Sequence, residues 1–106
     1  MDTNNKLSCG GVENTIRIIG GKWKPLILYL LREGSLRYSE LQKNIEGITQ
    51  KMLTQQLRQL ELDGLLTRKV FPIIPPRVEY SLTQRGISLL PLLRSMAEWG
   101  SSHKAH

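Results

Sequence analysis

The chain has 106 residues, and its 15 Lys and Arg residues against 9 Asp and Glu residues give a formal net charge of +6. This length suits one small domain over residues 1–106, and the charge favours a polyanionic partner, either nucleic acid or an anionic membrane surface. Charge alone does not choose between these two partners. Because no apolar run approaches the ~20 residues of a membrane span and residues 1–10 lack the apolar centre of a signal peptide, we expect a cytoplasmic protein.

Two helices are predicted in the first third of the chain, after a flexible tail over residues 1–9. Apolar residues at 12, 16 and 19 have helical spacing, so Val12 to Ile19 is predicted as a helix that ends at Gly20. Pro25 suits the first turn of a second helix, where its missing N–H does no harm. That helix, Pro25 to Arg32, is apolar nearly all round and is expected at the centre of the core.

A helix-turn-helix is predicted in the middle of the chain. After a short extended segment at residues 36–38, Ser39 with Gln42 matches a capping box and predicts the start of a third helix. A turn containing Gly47 follows. The fourth helix, Thr49 to Asp63, has Thr49 as its N-cap. Two helices joined by a short glycine turn are typical of a helix-turn-helix.

A β-hairpin and a last helix complete the predicted fold. Leu65 to Phe71 and Val78 to Leu82 are expected as strands, and the proline-rich segment 72–77 between them as a stiff hairpin tip. Thr83 is expected to cap a helix that runs to about residue 100, kinked at Pro91, before a flexible tail at 101–106. The predicted class is mainly α with a small β-hairpin (α+β), a winged helix-turn-helix in which the hairpin is the wing.

One face of the fourth helix carries polar and cationic side chains without an acid. These residues have helical spacing and are Lys51, Thr54, Gln55 and Arg58, flanked by Gln50 and Gln59. Arginine can pair with guanine, glutamine with adenine, and threonine can offer a hydroxyl or a methyl group. The alternative is an ordinary solvated helix face, but the preceding helix, the turn, the wing and the basic charge together favour contact with DNA. DNA is therefore the expected partner, and a membrane is not.

Three further residues are candidates for contact with the DNA backbone. Arg37 and Ser39 lie at the start of the third helix, where backbone N–H groups can bind phosphate. Arg77, in the predicted wing tip, is placed for a phosphate or the minor groove. For both arginines the alternative role is that of a surface charge.

Three segments, CGGVENTIRIIGGKWKPLIL, ITQKMLTQQLRQLELDGLL and PPRVEYSLTQRG, closely resemble the HxlR family of bacterial, MarR-like winged-helix transcriptional regulators. The likeness extends from Cys9 to Trp99. It implies a homodimer that binds a two-fold related operator in double-stranded DNA, as repressor or activator. It also implies that the first and last helices form the dimer interface, where the expected residues are Val12, Ile16, Ile19, Leu89, Leu92, Leu93, Met96 and Trp99. The alternative for these apolar residues is the intrachain core, and each stripe is expected to serve both.

Cys9 lies where many members of this family carry a cysteine, and some respond to oxidants or electrophiles through it. A thiol near a helix N-terminus and near Lys6 is also favourably placed for reaction. The alternatives are a small residue packed at the dimer interface and an inert thiol in the tail. As the single cysteine of the chain, its reversible oxidation would require the partner subunit or a small thiol.

An enzyme is not expected, because the chain has no CxxC, Walker or HExxH motif. His103 and His106 lie in the predicted C-terminal tail, so neither a metal site nor a cofactor is expected. A winged helix used only to bind protein or RNA, without operator specificity, is the alternative function.

Overall fold

The computed structural model describes residues 8–104, so Lys6 and His106 lie outside the described residues, as do residues 1–7 of the predicted N-terminal tail and residues 105–106 of the predicted C-terminal tail. In chain order the helices and strands are α1 (Gly10–Ile19), α2 (Trp23–Leu30), a 3₁₀ turn (Leu31–Glu33), β1 (Leu36–Arg37), α3 (Tyr38–Asn44), α4 (Gln50–Leu62), β2 (Leu66–Phe71), β3 (Arg77–Leu82), α5 (Gln84–Ile87) and α6 (Leu90–Ser102). The predicted α+β winged helix-turn-helix is confirmed. No helix within residues 8–104 is long and apolar enough to cross a membrane.

The three strands form one antiparallel sheet in the order β1-β3-β2. The hairpin of β2 and β3, with its connecting residues 72–76, is the wing. Its ladder runs from Leu66 opposite Leu82 to Phe71 opposite Arg77. The short strand β1, which directly precedes α3, pairs with β3 and therefore ties the helix-turn-helix to the wing.

The core is formed by the buried faces of α2, α3 and α4 and by the start of the hairpin, with further buried residues from the end of α1 and from α6. Ile27 and Leu28 of α2 are fully buried, as are Leu41 of α3 and Leu53 of α4. α2 packs against both α4 and α6. The expectation that α2 is buried nearly all round is wrong at Leu26, which is 45% exposed.

α4 begins and ends at the predicted residues because its caps are local. The N–H of Met52 donates to Oγ1 of Thr49 at 3.1 Å. At the other end, Gly64 has a left-handed φ of 74°. The N–H of Leu65 there donates to the carbonyl of Leu60 at 3.0 Å, which is the bond of a Schellman motif.

The start of α3 differs from the prediction. The helix begins at Tyr38 with Arg37 as its N-cap, and Ser39 is already its second residue. The N–H of Arg37 donates to Oε1 of Glu40 at 2.8 Å. The reciprocal carboxylate of the cap is therefore supplied by Glu40, because the helix starts directly after β1, with its N-cap two residues earlier than the Ser39–Gln42 pattern predicts.

The prediction of one long C-terminal helix kinked at Pro91 is wrong. The chain forms the short helix α5, capped by Thr83, and then a separate helix α6. Pro91 lies in the first turn of α6, where no intrahelical N–H is required. The helix also continues to Ser102, beyond the predicted end. His103 follows it and stacks on Trp99 with ring centroids 4.4 Å apart.

Candidate DNA-binding surface

The polar stripe of α4 is exposed and lines a shallow cleft. Lys51, Thr54, Gln55 and Arg58 all lie at the surface, and together with Gln50 they surround a volume of about 520 Å³. Leu53, Leu57 and Leu60 of the same helix are almost completely buried on its other side, whereas Leu62, its last residue, is 81% exposed. The helical periodicity therefore separates a core face from an accessible polar face, as the spacing predicts.

A second cleft brings together the three residues predicted to contact the DNA backbone. Arg37, Ser39 and Arg77 line a volume of about 510 Å³ between the start of α3 and the wing. Ile73 and two prolines of the wing form its outer wall. Ser39 and Arg77, which are 38 positions apart in the chain, thus share one concave surface. They do so because β1, directly before α3, pairs with the hairpin strand β3.

Arg77 lies at the base of the wing tip and not at the tip itself. It pairs with Phe71 in the last register position of the hairpin, and its guanidinium carbon lies 4.6 Å from the Phe71 ring centroid. Its Nε lies 3.2 Å from Oε2 of Glu79, close enough for an ion pair. Ile74, in the tip itself, is fully accessible.

Tyr38 lies between these clefts, and the sequence did not indicate a role for its side chain. Its phenol oxygen lies 2.9 Å from the carbonyl oxygen of Gln50 and 2.9 Å from Oγ1 of Thr54. An aromatic residue directly after a short strand was the one local hint in the sequence that Tyr38 has a role. No local pattern relates position 38 to positions 50 and 54, so its hydrogen-bonding partners could not be predicted.

A third cleft separates α4 from the hairpin. It has a volume of about 480 Å³, and its walls include Arg58 and Glu61 from α4 and Arg68 and Tyr80 from the strands. Burial raises the pKa of the Tyr80 phenol above its ordinary 10.0, while the neighbouring Arg68 guanidinium opposes this shift. Arg68 was not selected from the sequence, because alternation in a strand does not indicate which exposed residue faces a helix.

Most residues predicted at the dimer interface form an exposed apolar face on α1 and α6. Val12, Ile16, Leu92 and Met96 line a groove of about 400 Å³. Val12 is 64% exposed and Ile16 is 60% exposed. The remaining predicted residues divide between surface and core: Trp99 is exposed, Leu89 is half-buried, and Ile19 and Leu93 are buried within the chain. Leu90, which the predicted stripe omitted, is also buried in this core.

Cys9 lies at the N-terminal end of this apolar face. It is the N-cap residue of α1, its side chain is exposed, and its carbonyl accepts the N–H of Glu13 at 2.7 Å. The helix-terminus position expected for the thiol is therefore present, whereas the expected neighbour Lys6 lies outside the described residues.

A helix-turn-helix followed by a wing, with a basic and amide-rich second helix, defines a DNA-binding transcriptional regulator. The model of the HxlR-like helix-turn-helix family matches residues 18–106, and the chain belongs to this family. Its relatives include several HTH-type transcriptional regulators, so the family is one of DNA-binding regulators and not of enzymes.

Two curated relatives and one solved structure illustrate the similarity. The chain is 54% identical over 95 residues to the uncharacterised HTH-type transcriptional regulator YkvN of Bacillus subtilis strain 168, covering 90% of this chain and 80% of YkvN. It is 50% identical over 95 residues to an uncharacterised HTH-type transcriptional regulator of Methanothermobacter thermautotrophicus, covering 90% and 72% of the two chains. The redox regulator HypR in its oxidised form superposes with a TM-score of 0.86 at 46% identity, over 91% of this chain and 99% of that chain.

Proposed function

We propose that this protein is a homodimeric, sequence-specific transcriptional regulator that binds a two-fold related operator. The observation that carries the proposal is the placement of all eight candidate DNA-binding residues on two clefts that adjoin Tyr38. α4 would lie in the major groove, and the wing would contact the backbone or the minor groove. Such a regulator acts where the chromosome lies, which in a bacterium is the cytoplasm.

The dimensions and chemistry of α4 suit a major groove. A helix with its side chains is ~10–12 Å across, and the groove is ~12 Å wide. Gln55 and Arg58 are exposed, and their side chains match adenine and guanine edges respectively. Arg37 and the first N–H groups of α3 would hold a phosphate beside them, which would fix the register of α4 on the duplex.

The exposed face of α1 and α6 supports the homodimer. Exposed apolar patches of this kind mark association surfaces when they are contiguous, and the groove is continuous from Val12 and Ile16 to Met96. A two-fold dimer covers the same patch on both subunits. It would also place two copies of α4 on successive half-sites of one operator.

A binding assay at two salt concentrations tests the DNA-binding part of the proposal. The protein is titrated against duplexes selected from random sequence by the protein itself, and against unselected duplexes. We expect salt to weaken both while the preference for the selected duplex persists. If no duplex is preferred over random DNA at any salt concentration, the protein is a general binder or a protein- or RNA-interaction module.

Sedimentation of an Ile16→Glu variant tests the dimer. A charge at this exposed position would be desolvated in the interface, so the variant should sediment as a monomer and lose operator affinity. Ile87→Glu on α5 is the matched control, because Ile87 is also an exposed isoleucine, 44% accessible, but does not line the groove. A dimeric Ile16→Glu variant would place the interface elsewhere.

A response to oxidants through Cys9 is the third part of the proposal. HypR is a redox regulator with structures in oxidised and reduced forms, and Cys9 is exposed next to the proposed dimer helix. Oxidation of two thiols to a disulfide, with Cys9 of the partner subunit or a small thiol, would change the arrangement of the α1 helices. DNA release by a thiol oxidant should be lost in Cys9→Ser; equal release in both proteins excludes Cys9 as the sensor.

A further inference from the structure

The hydrogen bonds of Tyr38 restrict what Thr54 can offer to a base. A phenol has one proton, and the carbonyl of Gln50, 2.9 Å away, can only accept it. Tyr38 therefore donates to Gln50. The contact of 2.9 Å between the phenol oxygen and Oγ1 of Thr54 must then use the hydroxyl proton of Thr54, because the phenol has no second proton to give.

Thr54 is consequently unable to donate to guanine or to thymine O4. Its Oγ1 is directed at Tyr38 on the neighbouring helix α3. Oγ1 and the methyl carbon are separate substituents of the tetrahedral Cβ, so the methyl group is not the atom that Tyr38 holds. Thr54 also lines the exposed stripe cleft with Gln55 and Arg58, so its methyl group is available to a base, while its Oγ1 can act there only as an acceptor.

We infer that Thr54 reads a thymine through contact between two methyl groups, and that Tyr38 is the positioning residue that imposes this mode of recognition. The inference rests on the proposed function, since it requires α4 in the major groove. It deepens that function by assigning one base to one residue. Methyl–methyl contact is an established means of thymine recognition, and the bond from Tyr38 to Gln50 also ties α3 to the first turn of α4.

Uracil scanning of the operator tests the inference, because deoxyuridine differs from thymidine only by the methyl group. Each thymine of a duplex selected by the native protein is replaced in turn. One position in each half-site should weaken binding about fourfold, which corresponds to the ~0.8 kcal/mol gained when one methyl-sized group is buried. If every uracil duplex binds like the parent, the inference is overturned.

Variants at Thr54 separate the methyl from the hydroxyl. Thr54→Val keeps the methyl and should retain the uracil effect, whereas Thr54→Ser keeps the hydroxyl and should abolish it. The opposite pattern would mean that the hydroxyl reads the base and would overturn the inference. The two possible failures are distinguishable. If the native protein prefers no duplex over random DNA, the proposed function fails; if it prefers one duplex but tolerates uracil at every position, only the inference about Thr54 fails.

Tyr38→Phe tests the positioning role. Removing the phenol oxygen releases the hydroxyl proton of Thr54, so the preference for thymine at the sensitive position should relax severalfold while other positions keep theirs. Tyr29→Phe is the matched control, because Tyr29 lies on α2 outside all three clefts of the DNA-binding surface. Melting curves verify that both variants are folded. An unchanged thymine preference in folded Tyr38→Phe would contradict the role of Tyr38.

Discussion

Replacing Arg58 with alanine should reduce operator binding without affecting the fold. The side chain is exposed on α4. Among residues 8–104 the single ion pair is that between Arg77 and Glu79, so the substitution breaks no ion pair of Arg58. We expect the free energy of unfolding to stay within ~0.5 kcal/mol of the native value. Loss of a bidentate contact to guanine should weaken operator binding by ~1–3 kcal/mol, which is roughly 5- to 150-fold.

The assay compares complete base-preference profiles of the native and Arg58→Ala proteins at constant salt. Specificity should relax at one base pair in each half-site and persist elsewhere. Arg85→Ala is the control for the loss of one positive charge, since Arg85 is exposed on α5 and lines none of the clefts beside α4 or the wing. An unchanged profile for Arg58→Ala, or an equal loss in both variants, would refute base reading by Arg58.

The other predictions concern the wing and two points of the fold. Arg77→Ala should weaken binding to all duplexes similarly and lower the salt slope by about one; an unaltered slope would mean that Arg77 serves only its contacts with Phe71 and Glu79. Thr49→Ala removes the cap bond to Met52 and should lower the free energy of unfolding by ~1 kcal/mol and the melting temperature by ~4–8 °C, so a native melting curve would contradict it. Gly86→Ala would bring a Cβ to 2.1 Å from the carbonyl oxygen of Leu65, whereas Gly100 has open space in a helix. We therefore expect Gly86→Ala to destabilise by ~1–3 kcal/mol or more and Gly100→Ala to stabilise slightly, as measured by denaturant unfolding; equal effects would contradict the clash.

Much of the fold could be predicted from the sequence because its signals act over three or four residues. The cap of Thr49 on Met52 and the left-handed Gly64 set the ends of α4, and the helical period alone separates its buried leucines from its polar stripe. The prolines between two β-forming segments indicate the wing in the same way. The family resemblance, which the comparison with known proteins confirms, likewise depends on short segments in a fixed order.

Only the tertiary structure decided how these parts meet. Pro91 taken alone is compatible with either a kink within one helix or the start of a new helix. In the structure α5 packs against β3, and Pro91 lies in the first turn of the separate helix α6. The cleft shared by Arg37, Ser39 and Arg77 exists because β1 pairs with β3. The hydrogen bond between Tyr38 and Thr54 joins residues 16 positions apart on different helices. No local periodicity records such a contact, because it depends on the angle between two packed helices, and that angle is set by the core beneath them.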